Sequence, residues 1–344
     1  MPKDNEDISL FSDLPLQPSE PQGFSPDQMV RCEECLRANP PTRPQCLYCG
    51  HPLPVSEATI TLPRSSLRPP EKWEAGYSSI LLKAPADGLS NKSMAQAASL
   101  LGLEVDDLKQ IFLAQKPLPL ARKATQEEAM MIERGLSGLG LDTMIVSDQA
   151  LGLEASPPRR LRTLELRDND LVAYQPSGSE GTVVAWNTIT LVITARLFAK
   201  QVAFKERKRG KEIIDASETS SDEAVLDIYT NTEDGGWRIM GNSFDFSCLG
   251  DRKTLLAGEN FLTVTKIVRD HAPHAEHDNS YNSLRRVLEL VWPSEQQTAS
   301  LGWHRDHSGK YSTNEIAMTS NEPQFTRYSR LCHFLKVTSL DQCR

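Results

Sequence analysis

No apolar run in the 344 residues approaches the ~20 needed to cross a bilayer, which excludes a membrane-spanning helix. No apolar segment follows the acidic stretch 1–7, so no secretory signal is visible and the expected compartment is the cytoplasm. Positive charge is also short. Thirty-eight basic residues face 46 acidic ones, a formal net charge of −8, the reverse of a chain that holds nucleic acid mainly by charge. There is no Gly-x-Ser-x-Gly, no phosphate loop, no dinucleotide fingerprint and no His-Glu-x-x-His, so an enzymatic reading has no constellation to stand on. No internal repeat is found. Composition further excludes a collagen, a coiled coil and a secreted disulfide scaffold.

What is present is unevenly spread. The length suggests two or three domains, and the 22 prolines gather in stretches that read as linkers. Four of the seven cysteines, Cys32, Cys35, Cys46 and Cys49, fall within 18 residues, while Cys248, Cys332 and Cys343 are scattered. Two CxxC pairs in a reducing compartment read as metal ligands before disulfides. Four thiolates suit one tetrahedral zinc, each at ~2.3 Å, and a two-residue spacer lets both sulfurs of a turn face one ion. Gly50 can supply the positive φ that such a turn needs. A unit this small buries little apolar surface, so a structural Zn2+ would supply most of its stability. Four cysteines leave no open position for water, so no catalysis is expected there.

The chain therefore divides into a disordered acidic leader over 1–28, a zinc-binding unit over 29–54, a linker over 55–72, a small α/β module over 73–150, a second linker over 151–160, a β-rich domain with C-terminal helices over 161–293, and a polar tail over 294–344. The overall expectation is a multi-domain α+β protein. In the module, residues 78–83 read as a strand. Asn91 or Ser93 can cap a helix stopped by Gly102, and a second helix near 104–115 ends at Pro117 and Pro119. Leu118 and Leu120 suggest a short edge strand. Thr125 with Glu128 is a capping-box pattern for a third helix, and 142–147 closes the order β-α-α-β-α-β. The later half shows strand patterns up to about residue 246, with a hairpin signal at Glu233-Asp234-Gly235-Gly236. Helices follow near 255–268 and 281–291. This order suits a small barrel of the pleckstrin-homology type with a capping helix; an α+β sandwich or a split barrel are alternatives.

The segment RCEECLRANPPTRPQCLYCGHPLP resembles the short zinc ribbons of bacterial proteins, which carry CxxC, an Asn-Pro-Pro loop and CxxCG followed by Pro-Leu. Cys32, Cys35, Asn39, Pro40, Pro41, Cys46, Cys49, Gly50, Pro52 and Leu53 stand in register. Leu36 departs from that pattern, which commonly has Gly there. The Cys and Asn spacing also suits the Ran-binding-protein type of zinc finger, some of which bind RNA or ubiquitin, but Val30 stands where that group carries Trp. The module resembles the C-terminal domain of the bacterial ribosomal stalk protein, a fold shared by the Clp protease adaptor. The stalk's basic factor-binding stretch is replaced here by the acidic run 101–107. The resemblance therefore implies a fold and leaves a protein-binding module as the functional expectation.

Three further features each carry two readings. Residues 200–211 form the one dense basic run, read as a solvated hairpin loop or as a weak, local nucleic-acid or acidic-lipid contact. His271, His274 and His277, flanked by Asp270 and Asp278, read as exposed loop histidines or as metal ligands. Cys248 reads as buried filler or as a nucleophile with a distant His. The combined expectation is a non-enzymatic, zinc-binding adaptor or scaffold with a protein partner, its modules joined by linkers. The rivals are an RNA- or ribosome-associated factor and a hydrolase in the C-terminal half.

Overall fold

Capping and alternation signals set the first large unit. The computed structural model of the protein describes residues 29–40, 46–51, 53, 70, 75–85, 88–176, 180–207, 213–231, 235–305 and 311–342; the leader and, apart from Pro70, the linker 55–72 lie outside the described residues. Two short strands in the cysteine unit, β1 (Val30–Arg31) and β2 (Ala38–Asn39), pair antiparallel. The module then runs β3 (Tyr77–Lys83), α1 (Asn91–Leu101), α2 (Val105–Leu113), β4 (Leu118–Lys123), α3 (Gln126–Gly138), β5 (Asp142–Ser147), in the order read from the sequence. The α1 cap is Ser90, one residue before the expected Asn91; its hydroxyl accepts the Ser93 N–H at 3.1 Å. Gly102, at φ 75°, ends α1, and Thr125 with Glu128 forms the expected capping box on α3.

The three strands are antiparallel in the order β4-β3-β5. The central β3 and the edge strand β4 carry most of the sheet's buried residues, while β5 is largely half-buried. At the β4 edge the pairing skips a residue, so that Ile80 faces Pro119. Proline has no N–H to give a ladder, and an irregularity on an edge strand is where it fits.

In the C-terminal half, β6 (Arg159–Arg160) precedes a meander of β7 (Thr163–Leu166), β8 (Asp170–Tyr174) and β9 (Thr182–Ala185). A long hairpin follows, β10 (Ile189–Arg207) with β11 (Ile213–Thr230), and then β12 (Trp237–Met240). Next come α4 (Ala257–His271), β13 (Glu276–Asp278), α5 (Tyr281–Leu288), β14 (Glu295–Arg305), β15 (Tyr311–Ser320) and α6 (Glu322–Gln342). The large curled sheet runs β14-β15-β10-β11-β12-β6, with β13 parallel to the start of β10. The protein is thus a mixed α+β fold. Gly236, at φ 75°, leads into β12 as the hairpin signal implied, while Glu233 and Asp234 lie outside the described residues.

The first half of β10 is buried on both faces, which is why it reads as the near-continuous apolar run ITLVITA. Val192, with Leu226, Ile228 and Ile239, faces a core built with Leu164, Leu171 and Val184 of the meander and Phe261, Val264 and Val268 of α4. Leu191, Ile193 and Leu197 face the opposite core, where Tyr281 and Leu288 of α5 and Phe325, Tyr328 and Leu331 of α6 meet Ile80, Leu108, Leu118 and Ile132 of the module. Apolar burial is therefore continuous from the module into the C-terminal half. Polar contacts follow it: the Trp292 indole N–H donates to Ser78 Oγ at 3.1 Å, Lys116 reaches Asp278 at 2.6 Å, and Arg330 Nε donates to the Leu151 carbonyl at 2.6 Å.

The stretch 294–344, expected as a polar and partly unordered tail, is built of regular elements among its described residues. It carries the β14–β15 hairpin and the 21-residue α6. Phe325, Tyr328 and Leu331 recur at helical spacing and are all buried, so a few anchors at i, i+3 and i+6 hold an otherwise polar helix. Arg238, 2% exposed, joins β12 to α6. It makes two 2.8 Å hydrogen bonds to Asp227 and reaches Thr326 Oγ1 at 2.9 Å and Glu322 at 3.1 Å.

Candidate metal centre

The two CxxC turns repeat one construction. In the first, the Cys32 N–H donates to the Arg37 carbonyl at 3.0 Å and the Leu36 N–H to the Cys32 carbonyl at 2.9 Å. In the second, the Cys46 N–H donates to the His51 carbonyl at 2.8 Å and the Gly50 N–H to the Cys46 carbonyl at 3.0 Å. Each turn needs a left-handed residue just after its second cysteine: Gly50, at φ 73°, supplies it in one and Leu36, at φ 59°, in the other. The departure from Gly at Leu36 leaves the backbone geometry in place.

Asn39, fully buried at the end of β2, ties the two turns together. Its Nδ2 donates to the Arg37 carbonyl at 2.9 Å and lies 3.5 Å from Cys46 Sγ, while its Oδ1 accepts the Leu47 N–H at 2.8 Å. One amide thus uses donor and acceptor on opposite turns, which no shorter or apolar side chain can do. Its place between the cysteine pairs was legible in the sequence; its clasping role was not. Val30 and Leu53 close the small apolar cluster around Cys32 and Cys46.

All four sulfurs lie within 4.8 Å of one another. Cys32 and Cys49 are 3.6 Å apart and Cys35 and Cys46 3.4 Å apart. A tetrahedron with ~2.3 Å metal–sulfur bonds has edges of about 3.8 Å, so the cluster matches the size of a four-thiolate ion site. Burial raises the Cys46 thiol, but N–H groups of the Tyr48 and Cys49 backbone, with the Cys35 and Asn39 side chains, outweigh it and pull Cys46 down to about 6. The Tyr48 N–H approaches its sulfur at 3.4 Å. At Cys49 the His51 backbone acts downward, yet burial and the three neighbouring sulfurs push the thiol up to about 12. One sulfur is thus prepared as an anion and its crowded neighbours resist ionising together, a conflict that a divalent cation removes.

The other sequence candidates do not assemble. Cys248 sits half-buried in a 3-10 turn, Phe246–Arg252, where burial raises its thiol. His271 places Nδ1 2.9 Å from the Ile267 carbonyl and packs its ring 4.8 Å from Trp186. His277 lies in β13 opposite Val192. Among the described residues, the metal-capable cluster contains the four cysteines and no histidine. The basic run was expected as a hairpin loop; residues 200–207 instead continue strand β10, with Lys200 3.0 Å from Glu218 on β11, and Lys208, Arg209 and Lys211 lie outside the described residues. No helix among the described residues is long and apolar enough to cross a membrane. No protein-family model matches the chain, and neither the curated proteins nor the solved structures give a significant match.

Proposed function

We propose that the protein is a non-enzymatic adaptor whose zinc-stabilised ribbon displays side chains to a protein partner. The observation that carries this reading is how the cysteine unit spends its apolar residues. Leu36, Leu47 and Tyr48 are 70%, 52% and 57% exposed, while the cysteines and Asn39 hold the backbone beneath them. Bound by Cys32, Cys35, Cys46 and Cys49, zinc would be saturated, so its work is to hold shape. The unit is read as a short zinc ribbon, the module as a stalk-type fold, and the β7–β12 strands with α4 as a small barrel of the pleckstrin-homology type.

The second reading is an RNA-associated factor. It rests on the Arg37 guanidinium, 4.6 Å over the Tyr48 ring, an exposed cation–aromatic pair of the kind that stacks on unpaired bases. Affinity capture from native lysate with the full chain, with and without ribonuclease, separates the two. A protein that survives ribonuclease and is lost on Leu47→Ser with Tyr48→Ala supports the adaptor. Capture abolished by ribonuclease supports the RNA reading, and capture indifferent to both substitutions overturns the role of the ribbon.

A further inference from the structure

A cleft of about 440 Å³ opens between residues 153–160, the start of β14, the end of β15 and the first turns of α6. That volume lies within the ~300–1,000 Å³ of small-molecule sites. Leu153, Pro157, Met318 and Pro323 give it apolar walls. Five charged side chains also line it: Arg160, Arg238, Glu295, Glu322 and Arg327. Three of these are closed by ion pairs. Arg160 reaches both oxygens of Glu322 at 2.7 and 2.9 Å, and Arg238 holds Asp227 at 2.8 Å and Glu322 at 3.1 Å.

Arg327 and Glu295 are left over. The Arg327 side chain is 22% exposed, and the one carboxylate within 4 Å of it among the described residues is Asp148, at 3.9 Å, beyond hydrogen-bond reach. That Asp148 oxygen already accepts the Gly76 N–H at 3.0 Å and a hydrogen bond from Arg122. Arg327 Nε is buried without a hydrogen-bond partner. Burial pulls the guanidinium below its ordinary range, and Arg122 acts the same way, against Asp148 and Glu295. A buried donor without an acceptor costs free energy that a ligand group can recover. Glu295, the first residue of β14, accepts one hydrogen bond from the Gln297 amide at 2.9 Å and forms no ion pair among the described residues. Both residues also line a second cleft, about 150 Å³, beside Trp292, so they stand where the two clefts adjoin.

We propose that this cleft binds a free α-amino acid with an apolar side chain, its carboxylate on Arg327, its ammonium on Glu295 and its side chain against Leu153, Pro157 and Met318. A guanidinium and a carboxylate that line one cleft without pairing select a ligand that carries both opposite charges. A simple anion gains Arg327 but meets Glu295, and a simple cation gains Glu295 but meets Arg327, so each is rejected by the group it cannot use. A ligand carboxylate supplies the acceptors the Arg327 guanidinium lacks, in charge-assisted hydrogen bonds. No residue of the cysteine unit takes part. The bound molecule fastens the start of β14 to α6.

Titration calorimetry of the full chain with L-leucine, L-isoleucine and L-methionine tests this, with isovalerate and isopentylamine as analogues that keep one charge each. Saturable binding of at least one of the amino acids is expected, about tenfold or more tighter than either analogue, because each analogue leaves one charged group of the cleft unpaired. Glu295→Gln keeps the size of the side chain and removes the repulsive charge. It is expected to weaken the amino acid about tenfold while improving isovalerate. Arg327→Gln is expected to weaken the amino acid and isovalerate alike, with the circular dichroism spectrum of both variants unchanged. No binding of the three amino acids at millimolar concentration, an isovalerate affinity equal to theirs, or binding untouched by Glu295→Gln would each overturn the proposal.

Discussion

Leu36 and Gly50 occupy equivalent places in the two cysteine turns, at φ 59° and 73°. The left-handed region costs a residue with a Cβ ~1–2 kcal/mol, against the ~0.5–1 kcal/mol of chain entropy that glycine loses on folding. Leu36→Gly is therefore expected to tighten metal binding by up to ~1 kcal/mol, about fivefold. At Gly50 an added Cβ meets nothing within 4 Å, so Gly50→Ala isolates the backbone strain and should weaken binding by ~1 kcal/mol. Chelator competition on the two variants reads both signs.

Asn39→Ala removes the amide that spans the turns and leaves the Leu47 N–H without its acceptor. Loss of such a supporting group typically costs ~10–100-fold in metal affinity. The same chelator competition checks this, and an Asn39→Ala protein with unaltered affinity would show that the clasp is dispensable.

Arg238 and Asp227 are 2% and 1% exposed at their side chains, so truncating one leaves the other charge buried. Arg238→Leu is expected to destabilise the fold by ~3–5 kcal/mol in urea denaturation, and pairing it with Asp227→Leu should recover part of that loss. Ser329, which donates to Asp227 at 2.7 Å, remains as its neutral partner in the single variant.

Asp278 supplies a pH signature. Burial raises its carboxyl, but Lys116 at 2.6 Å and the Ser280 N–H outweigh burial and hold it below the ordinary carboxylate range. A carboxylate with a depressed folded pKa contributes stability above its unfolded value, near ~3.9, and that stability is lost as pH falls through the lower folded value. Urea midpoints taken from pH 5 downward are expected to fall less steeply for Asp278→Asn than for wild type. Equal slopes would show that this carboxylate does not carry the acid sensitivity.

Local signals were legible where they act locally. The Thr125–Glu128 capping box, the Gly102 stop and the strand at 142–147 each depend on a few adjacent residues, and each stands as read. The cysteine cluster was legible because its spacing alone dictates how two turns can face one ion. What failed was the long-range part. Phe325, Tyr328 and Leu331 are three anchors in a polar stretch, and their worth comes from Tyr281, Trp292 and the module core, which the sequence places far away. The run 200–211 reads as a loop by charge, yet a strand laddered on both sides holds its backbone through residue 206, and charge does not reveal a ladder. Asn39 was visible as a motif position, but its two-sided clasp needs the folded turns.

Metal analysis of the purified full chain beside its Cys46→Ser variant tests the central claim most directly. Cys46 combines the deepest hydrogen bonding with a 3.4 Å approach to Cys35. The account predicts close to one zinc per wild-type chain, lost from the variant. A wild type free of zinc after chelator-free purification, or a Cys46→Ser protein that retains a full equivalent, would contradict it.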